Sequence, residues 1–296
     1  MSEANGYDNC GISQGSPMIA DSTFLQALKK HIEAKQIALP IFDPIAMRLQ
    51  QELLKKDPSL QAIEKLICAD QSLSSQLLKI ANSSVYRGLI DITTVRSALI
   101  RLGISEVFRI VMINVSQKSF SDRDRRTDAI MKKLWQHAMG CAFAAGMLSN
   151  SLDFGIFQQE AFFAGLLHDI GKLLVLKVVA DKKQTNKTLD VSEPMLLGTM
   201  DLLHAEQGYL LLRQIQLPEH FALIARDHHL PEFPPDNYLL MLVRLANQIC
   251  HWMGIGLRHD PNLDLLALPE AVQLGLSLTE LNSVQHFLTS ASGLFS

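Results

Sequence analysis

The sequence is poor in the features that mark several large protein classes. Its four cysteines, Cys10, Cys68, Cys141 and Cys250, lie far apart and form no C-x-x-C pair. That spacing argues against a disulfide framework and a zinc ribbon, and it fits a reducing compartment. Positive charge is not in excess, since 27 Lys and Arg face 30 Asp and Glu for a net charge of −3. A broad basic surface is therefore missing, and nucleic acid is not expected as a partner. No apolar run is long enough to span a bilayer, because Lys177 cuts short the one at 173–180. The polar start, rich in Gly, Ser and Asn, lacks the basic-then-apolar order of a signal peptide. Residues 1–21 read as a disordered tail, and the protein as cytoplasmic with no membrane association. No convincing strand, fixed-period repeat or low-complexity tract is present.

What is present is helical periodicity in a chain of 296 residues, 48% of them hydrophobic. Asp43-Pro44 supplies an N-cap and a first-turn proline, followed by Ile45, Leu49 and Leu53 at spacing four. Asp57-Pro58-Ser59 stops that helix and starts one carrying Leu60, Ile63, Leu66 and Ile67. A third runs from Asp70 to Ile80. Thr94 caps a short helix that ends at Leu102-Gly103, and Ser105 is expected to cap another through Val115. Residues 22–120 thus form an N-terminal helical bundle. The run S-D-R-D-R-R-T-D at 121–128 has six charges and no apolar residue, which suits a solvated link between domains. Beyond it, in residues 129–296, helices are expected at about 128–149, 158–176, 200–216, 218–229, 237–253 and 278–291. Loops separate some of them at 181–190, 231–236 and 257–269. The fold class is all-α.

Within the apolar run F-F-A-G-L-L-H-D-I-G-K-L-L-V-L, at 162–176, a histidine and an aspartate stand side by side. Burying a carboxylate without a partner costs several kcal/mol or more. A second pair, His259-Asp260, precedes Pro261 in an evident loop and reads as exposed and inert. His137 and His204 also fall on apolar helix faces, and His228-His229 closes a helix. Gly208, one turn after His204, would let another helix come close. Taken singly, an inward histidine is more often a hydrogen-bonded core residue than a ligand. Together, five imidazoles and one carboxylate on four helices of one domain point to a shared polar site. Imidazole and carboxylate suit zinc, iron, manganese or nickel.

The segment A-F-F-A-G-L-L-H-D-I-G-K at 161–172 closely resembles the signature of the HD superfamily of metal-dependent phosphohydrolases. The wider pattern resembles its HDOD branch, the HD-related output domains of bacterial signalling, over about residues 37–250. It is carried by A-N-S-S-V-Y at 81–86, S-A-L-I-R-L-G at 97–103, L-W-Q-H-A at 134–138, H-A-E-Q-G at 204–208, L-P-E-H at 217–220 and His228-His229. The resemblance implies an HD-type helical domain after the N-terminal bundle. It also implies a metal held by His137, His168 and Asp169, with a distant aspartate at the position of Asn247. In the two-metal branch that degrades cyclic di-GMP, further histidines match His204, His228 and His229, and a phosphate-contacting lysine matches Lys172. The Gly-Tyr-Pro element of that branch is missing, since H-H-L-P-E-F-P-P-D-N-Y follows instead.

Asn247 weakens the set. A carboxylate brings a full negative charge and can bridge two ions, whereas a carboxamide offers a neutral carbonyl oxygen. The expected cofactor is therefore a divalent transition metal (Fe, Mn, Zn or Ni) at partial occupancy, one ion on His137, His168 and Asp169 in preference to two. The first reading is a non-catalytic bacterial signalling module that binds signalling proteins, with a nucleotide or phosphate as an alternative ligand. The rival is a metal-dependent phosphohydrolase or phosphodiesterase.

Overall fold

The computed structural model describes residues 57–291, except 84–85, 87, 118–119, 123, 153–157, 186–190 and 216, together with 29–30, 48–49, 51–52 and 55. The tail expected at 1–21 lies outside the described residues, as does most of the helix expected from Asp43. All regular structure among the described residues is helical, which agrees with the all-α reading.

The N-terminal half contains α1 (Leu60–Cys68), α2 (Gln71–Ala81), α3 (Val95–Leu102) and α4 (Ile104–Gln117). Their starts follow the capping residues. The side chains of Ser59, Asp70 and Thr94 accept hydrogen bonds from the amides of Ala62, Leu73 and Ser97. Each satisfies one amide that the first helical turn leaves without a backbone partner. Gly103 ends α3 at φ 79°, a conformation that glycine adopts without strain, and α4 begins at the next residue. Ser105 is thus inside the first turn of α4 and is not its cap. The glycine allows so tight a junction that no separate capping residue intervenes.

The charged stretch at 121–128 is only partly a link. Asp124 caps α5 (Arg125–Ser151) by accepting from the Thr127 amide at 2.9 Å. Half of the charges therefore lie in the first turn of a 27-residue helix. Contacts between helices are concentrated within each half of the molecule. Across the junction, Phe120 meets Trp135 at 5.4 Å, and the Arg109 guanidinium lies over Phe143 at 5.8 Å.

The second half contains α5, α6 (Gln158–Leu167), α7 (Ile170–Thr185), α8 (Glu193–Gln214), α9 (Glu219–Asp227) and α10 (Tyr238–Met253). A 3-10 turn at Leu265–Ala267, α11 (Pro269–Leu274) and α12 (Leu278–Ser290) complete it. The single helix expected at 158–176 is two helices, broken at His168-Asp169. The apolar run continues through the break, so hydrophobic pattern alone does not reveal it. The described part of the loop expected at 181–190 is helical to Thr185, and α11 begins inside the stretch expected as loop at 257–269.

Two glycines draw the elements around that break together. A Cβ on Gly165 would stand 2.6 Å from the Cys141 carbonyl oxygen, and one on Gly171 would stand 2.0 Å from that of His204. Gly208 takes part in the second approach, within 3.3 Å of the Gly171 amide by the same measure. No described helix is long and apolar enough to cross a membrane.

Candidate metal centre

Helices α5, α8 and α10, the α6–α7 break and the end of α9 converge on Asp169. The Asp169 carboxylate is buried, and four imidazoles surround it. His137 Nε2 and His168 Nε2 lie 3.4 and 3.6 Å from Oδ2. On the other oxygen, His204 Nε2 and His228 Nε2 lie 3.4 and 3.5 Å from Oδ1. All four histidines are buried. His229 stands at the exposed rim, its ring 4.0 Å from His228 and 5.0 Å from His204.

Backbone carbonyls decide how these rings are protonated. Nδ1 of His137 bonds to the Ile255 oxygen (3.1 Å), of His168 to Gly165 (2.8 Å), and of His228 to Ala225 (3.0 Å). Nδ1 of His204 bonds to Met200 and Asp201 at 3.0 and 2.9 Å. A carbonyl only accepts, so each Nδ1 donates and each neutral ring turns an Nε2 lone pair inward. Burial favours the neutral form of three of these rings. It lowers the pKa of His137, that of His168 further, and pushes His204 down to about 4. At the rim, partial burial and the neighbouring His228 lower the His229 pKa too.

The result is a set of acceptors facing acceptors. Nε2 of His204 and Nε2 of His228 are 3.4 Å apart. His168 Nε2 and Asp169 Oδ1 have no hydrogen-bond partner among the described residues. Only Oδ2 is compensated, by the Lys172 ammonium at 2.6 Å. Burial would raise the Asp169 pKa, but Lys172 together with the surrounding histidines outweighs it and holds the carboxyl well below the usual range. The donor set fits a divalent cation in three respects: neutral imidazoles oriented by backbone oxygens, a charged carboxylate, and orphaned buried atoms between them. Asp169, His204, His228 and His229 form one group whose ligand atoms lie within 4.8 Å of one another, and His137, Cys141 and His168 form a second.

Every candidate named from sequence is at this site. Lys172 borders the cavity, paired to Asp169. Asn247 is buried on α10, its carboxamide oxygen without a hydrogen-bond partner and its side chain close enough to His137 to favour that ring's protonated form. The second His-Asp pair, at 259–260, is exposed.

Three contributors were missed. His251 stacks on His137 with ring centroids 5.3 Å apart and planes 14° from parallel, and burial takes it down to about 3. Its spacing of four from Asn247 on one helix was the available signal. Ile255 supplies the carbonyl that fixes His137, between Gly254 and Gly256 at φ 70° and 116°. Arg244 pairs with buried Glu270 of α11 and donates to the carbonyl oxygens of His228 and Leu230, which pins the His228-His229 turn.

The cavity at the site measures about 70 Å³ and is bordered by His137, Asp169, Lys172, His251 and an Arg258–Asp201 ion pair of 2.7 Å. A larger one of about 170 Å³ lies away from it, among Arg109, Phe143, Phe162 and Phe287, and holds none of the imidazoles.

Similarities to known proteins follow the same outline. A crystal structure of an HDOD domain protein of unknown function from Geobacter sulfurreducens superposes with a TM-score of 0.67 at 20% identity, covering 92% of this chain and 96% of that one. A Shewanella amazonensis SB2B protein, provisionally called a metal-dependent phosphohydrolase, gives 0.67 at 20% identity, covering 92% and 100%. Both likenesses are of fold. An uncharacterized protein of Treponema pallidum (strain Nichols) is 24% identical over 261 residues, 84% of this chain. The chain spans about half the length of that curated relative, 47%. The HDOD domain itself matches residues 39–231, well over half of the 296, and with this match the chain belongs to the HDOD family.

Proposed function

We propose that this chain is a regulatory HDOD module that holds a divalent metal at Asp169 and acts by binding signalling proteins. The observation that carries the metal reading is the orphaned Oδ1 of Asp169, faced by the Nε2 lone pairs of His204 and His228. Buried acceptors in that arrangement repel one another until a cation stands among them.

The regulatory reading is supported by what the site withholds. Asn247 contributes no charge, and a cavity of about 70 Å³ is small beside the roughly 300–1,000 Å³ of ordinary ligand sites. It has room for a phosphate-sized group, not for a dinucleotide. The N-terminal half meanwhile exposes Leu89, Ile90 and Ile100, apolar side chains suited to a protein partner. Arg101 of α3 bonds the Ile90 carbonyl and so keeps that turn beside the helix.

A phosphohydrolase is the second reading, favoured by Lys172 and Arg258 at the cavity. A bound metal would supply Lewis-acid charge and acidify a water. Lys172 and Arg258 each keep N–H donors beyond those used on Asp169 and Asp201, and these would meet phosphate oxygens.

The test is metal content of protein purified without a metal-affinity tag, with turnover of a generic aryl phosphodiester, for wild type and Asp169→Ala. Bound metal lost in the variant, with no turnover in either protein, is the expected result. Turnover in wild type that Asp169→Ala abolishes replaces the regulatory reading by the hydrolase. Wild type that takes up no metal ends the metal reading.

A further inference from the structure

Asn247 leaves the His137 side of the site short of one anion, and the structure offers a substitute. We infer that Cys141 is a metal ligand, completing a closed site with His137, His168 and Asp169 that selects zinc over manganese. The inference rests on the metal reading above and adds to it a thiolate that the HD ligand pattern does not contain.

Three of the spacings that a four-coordinate ion would need are present. Cys141 follows His137 by one turn of α5, and its Sγ lies 3.5 Å from His137 Nε2. A tetrahedral ion with nitrogen at about 2.0–2.1 Å and sulfur at about 2.3 Å sets those two ligand atoms roughly 3.5 Å apart. The same arithmetic for nitrogen and oxygen gives roughly 3.4 Å. Asp169 Oδ2 lies 3.4 Å from His137 Nε2 and 3.6 Å from His168 Nε2. Cys141, His137 and His168 are all buried, with their ligand atoms within 4.8 Å of one another. An independent observation points to the same spot. His168 Nε2 is fully buried, aimed into the cluster, and has no hydrogen-bond partner among the described residues.

Charge explains why a thiolate is needed. The Lys172 ammonium at 2.6 Å already offsets Asp169 on this edge. A dication entering beside it would meet two neutral imidazoles, a neutralised carboxylate and the neutral Asn247. A second anion lowers the cost of burying that charge. Burial holds the free Cys141 thiol well above its usual pKa, so it is protonated until a metal arrives. A coordinating metal deprotonates such a thiol outright. Thiolate with imidazole is a softer set than oxygen ligands and favours zinc over manganese. Access is through the cavity that His137 borders.

The experiment is zinc-edge X-ray absorption on the full chain, loaded with one equivalent of zinc and kept under a non-thiol reductant, because Cys250 lies against Cys141. The expected result is one sulfur neighbour at about 2.3 Å among nitrogen and oxygen neighbours. Competition titrations then compare Cys141→Ser, Cys141→Ala and Cys250→Ser. Loss of a direct ligand should weaken zinc by at least about a hundredfold in both Cys141 variants, with manganese changed far less and Cys250→Ser near wild type. Zinc held with no sulfur neighbour overturns the inference and leaves the metal reading standing. Failure of wild type to bind zinc, manganese or iron overturns both. The absorption measurement needs no variant, so it decides the matter even where a Cys141 substitution fails to fold.

Discussion

The Lys172 ammonium lies 2.6 Å from Oδ2 of Asp169, three residues back along the chain, and both side chains are buried. Lysine thereby neutralises one edge of the carboxylate while the other edge faces imidazole lone pairs. The two charges depend on each other. In metal-free protein, Asp169→Ala should cost roughly 3–5 kcal/mol, because it strands a buried ammonium. The double variant Asp169→Leu/Lys172→Met removes both charges and should recover most of that loss. Urea denaturation in the presence of chelator compares the two. Equal losses for the single and double variants would show that packing, not the charge pair, sets the stability.

The close approach of α7 to α8 gives a second expectation. A methyl group on Gly171 would stand 2.0 Å from the His204 carbonyl oxygen, so Gly171→Ala must push the two helices apart. Because backbone and not a flexible side chain is in the way, the expected outcome is loss of several degrees of melting temperature, or of folding, together with weakened metal binding. Gly198 is the control. It lies within α8, the partner helix, where an added methyl group would meet nothing within 4 Å, and Gly198→Ala should stabilise by about 0.5–1 kcal/mol. Calorimetry on the pair separates close packing from helix propensity.

These elements also show what the sequence made legible. Caps at Ser59, Asp70 and Thr94 are local chemistry, so those helix starts were readable. The convergence of His137, His168, Asp169, His204 and His228 was foreshadowed by polar residues on apolar faces, and the structure brings them to one point. The break at His168-Asp169 was not readable, because apolar residues continue on both sides and neither Gly nor Pro interrupts 166–170. Burial on all sides removes the amphipathic signal there. His251 escaped notice for a different reason. Its place beside the site depends on its stacking against His137 from another helix, which spacing along one helix does not show.

Acid should weaken the metal-free protein well before the carboxylates titrate. The unfolded chain takes up protons on its histidines near 6.5, whereas folded His204 does so near 4 and His251 near 3. Between those values the unfolded state binds more protons, so stability rises with pH. It is complete above about 6.5 and is lost as pH falls through the window towards the folded values. At pH 5 each of these two histidines should cost on the order of 1–2 kcal/mol relative to pH 7.5. Metal held by His204 competes with its proton, so the loaded protein should hold more of its stability at lower pH. Denaturant midpoints at several pH values, with and without zinc, check this, and a metal-free midpoint that is flat from pH 7.5 to 5 would contradict it.

Asn247→Asp is the most informative single substitution, because its effect should change sign with metal. In metal-free protein the new carboxylate is buried beside His137, and the buried ammonium of the site, Lys172, is already engaged with Asp169. An unpaired buried charge of this kind should cost a few kcal/mol, softened where the group takes up a proton instead. With metal the same carboxylate supplies an anion beside His137, and affinity should rise. The size of that gain also reports on Cys141. Where the thiolate already provides the second anion, Asn247→Asp adds little to wild type and far more, at least about tenfold, to Cys141→Ser, so the two substitutions should be strongly non-additive. Turnover of a phosphodiester should change little in any of these proteins, since the cavity of about 70 Å³ remains too small to position a nucleotide. Metal titrations on wild type, both single variants and the double variant complete the cycle. Additive effects would mean that residue 247 and Cys141 do not serve one ion, and a rise in metal-free stability on Asn247→Asp would mean that the carboxamide position faces a cation other than Lys172.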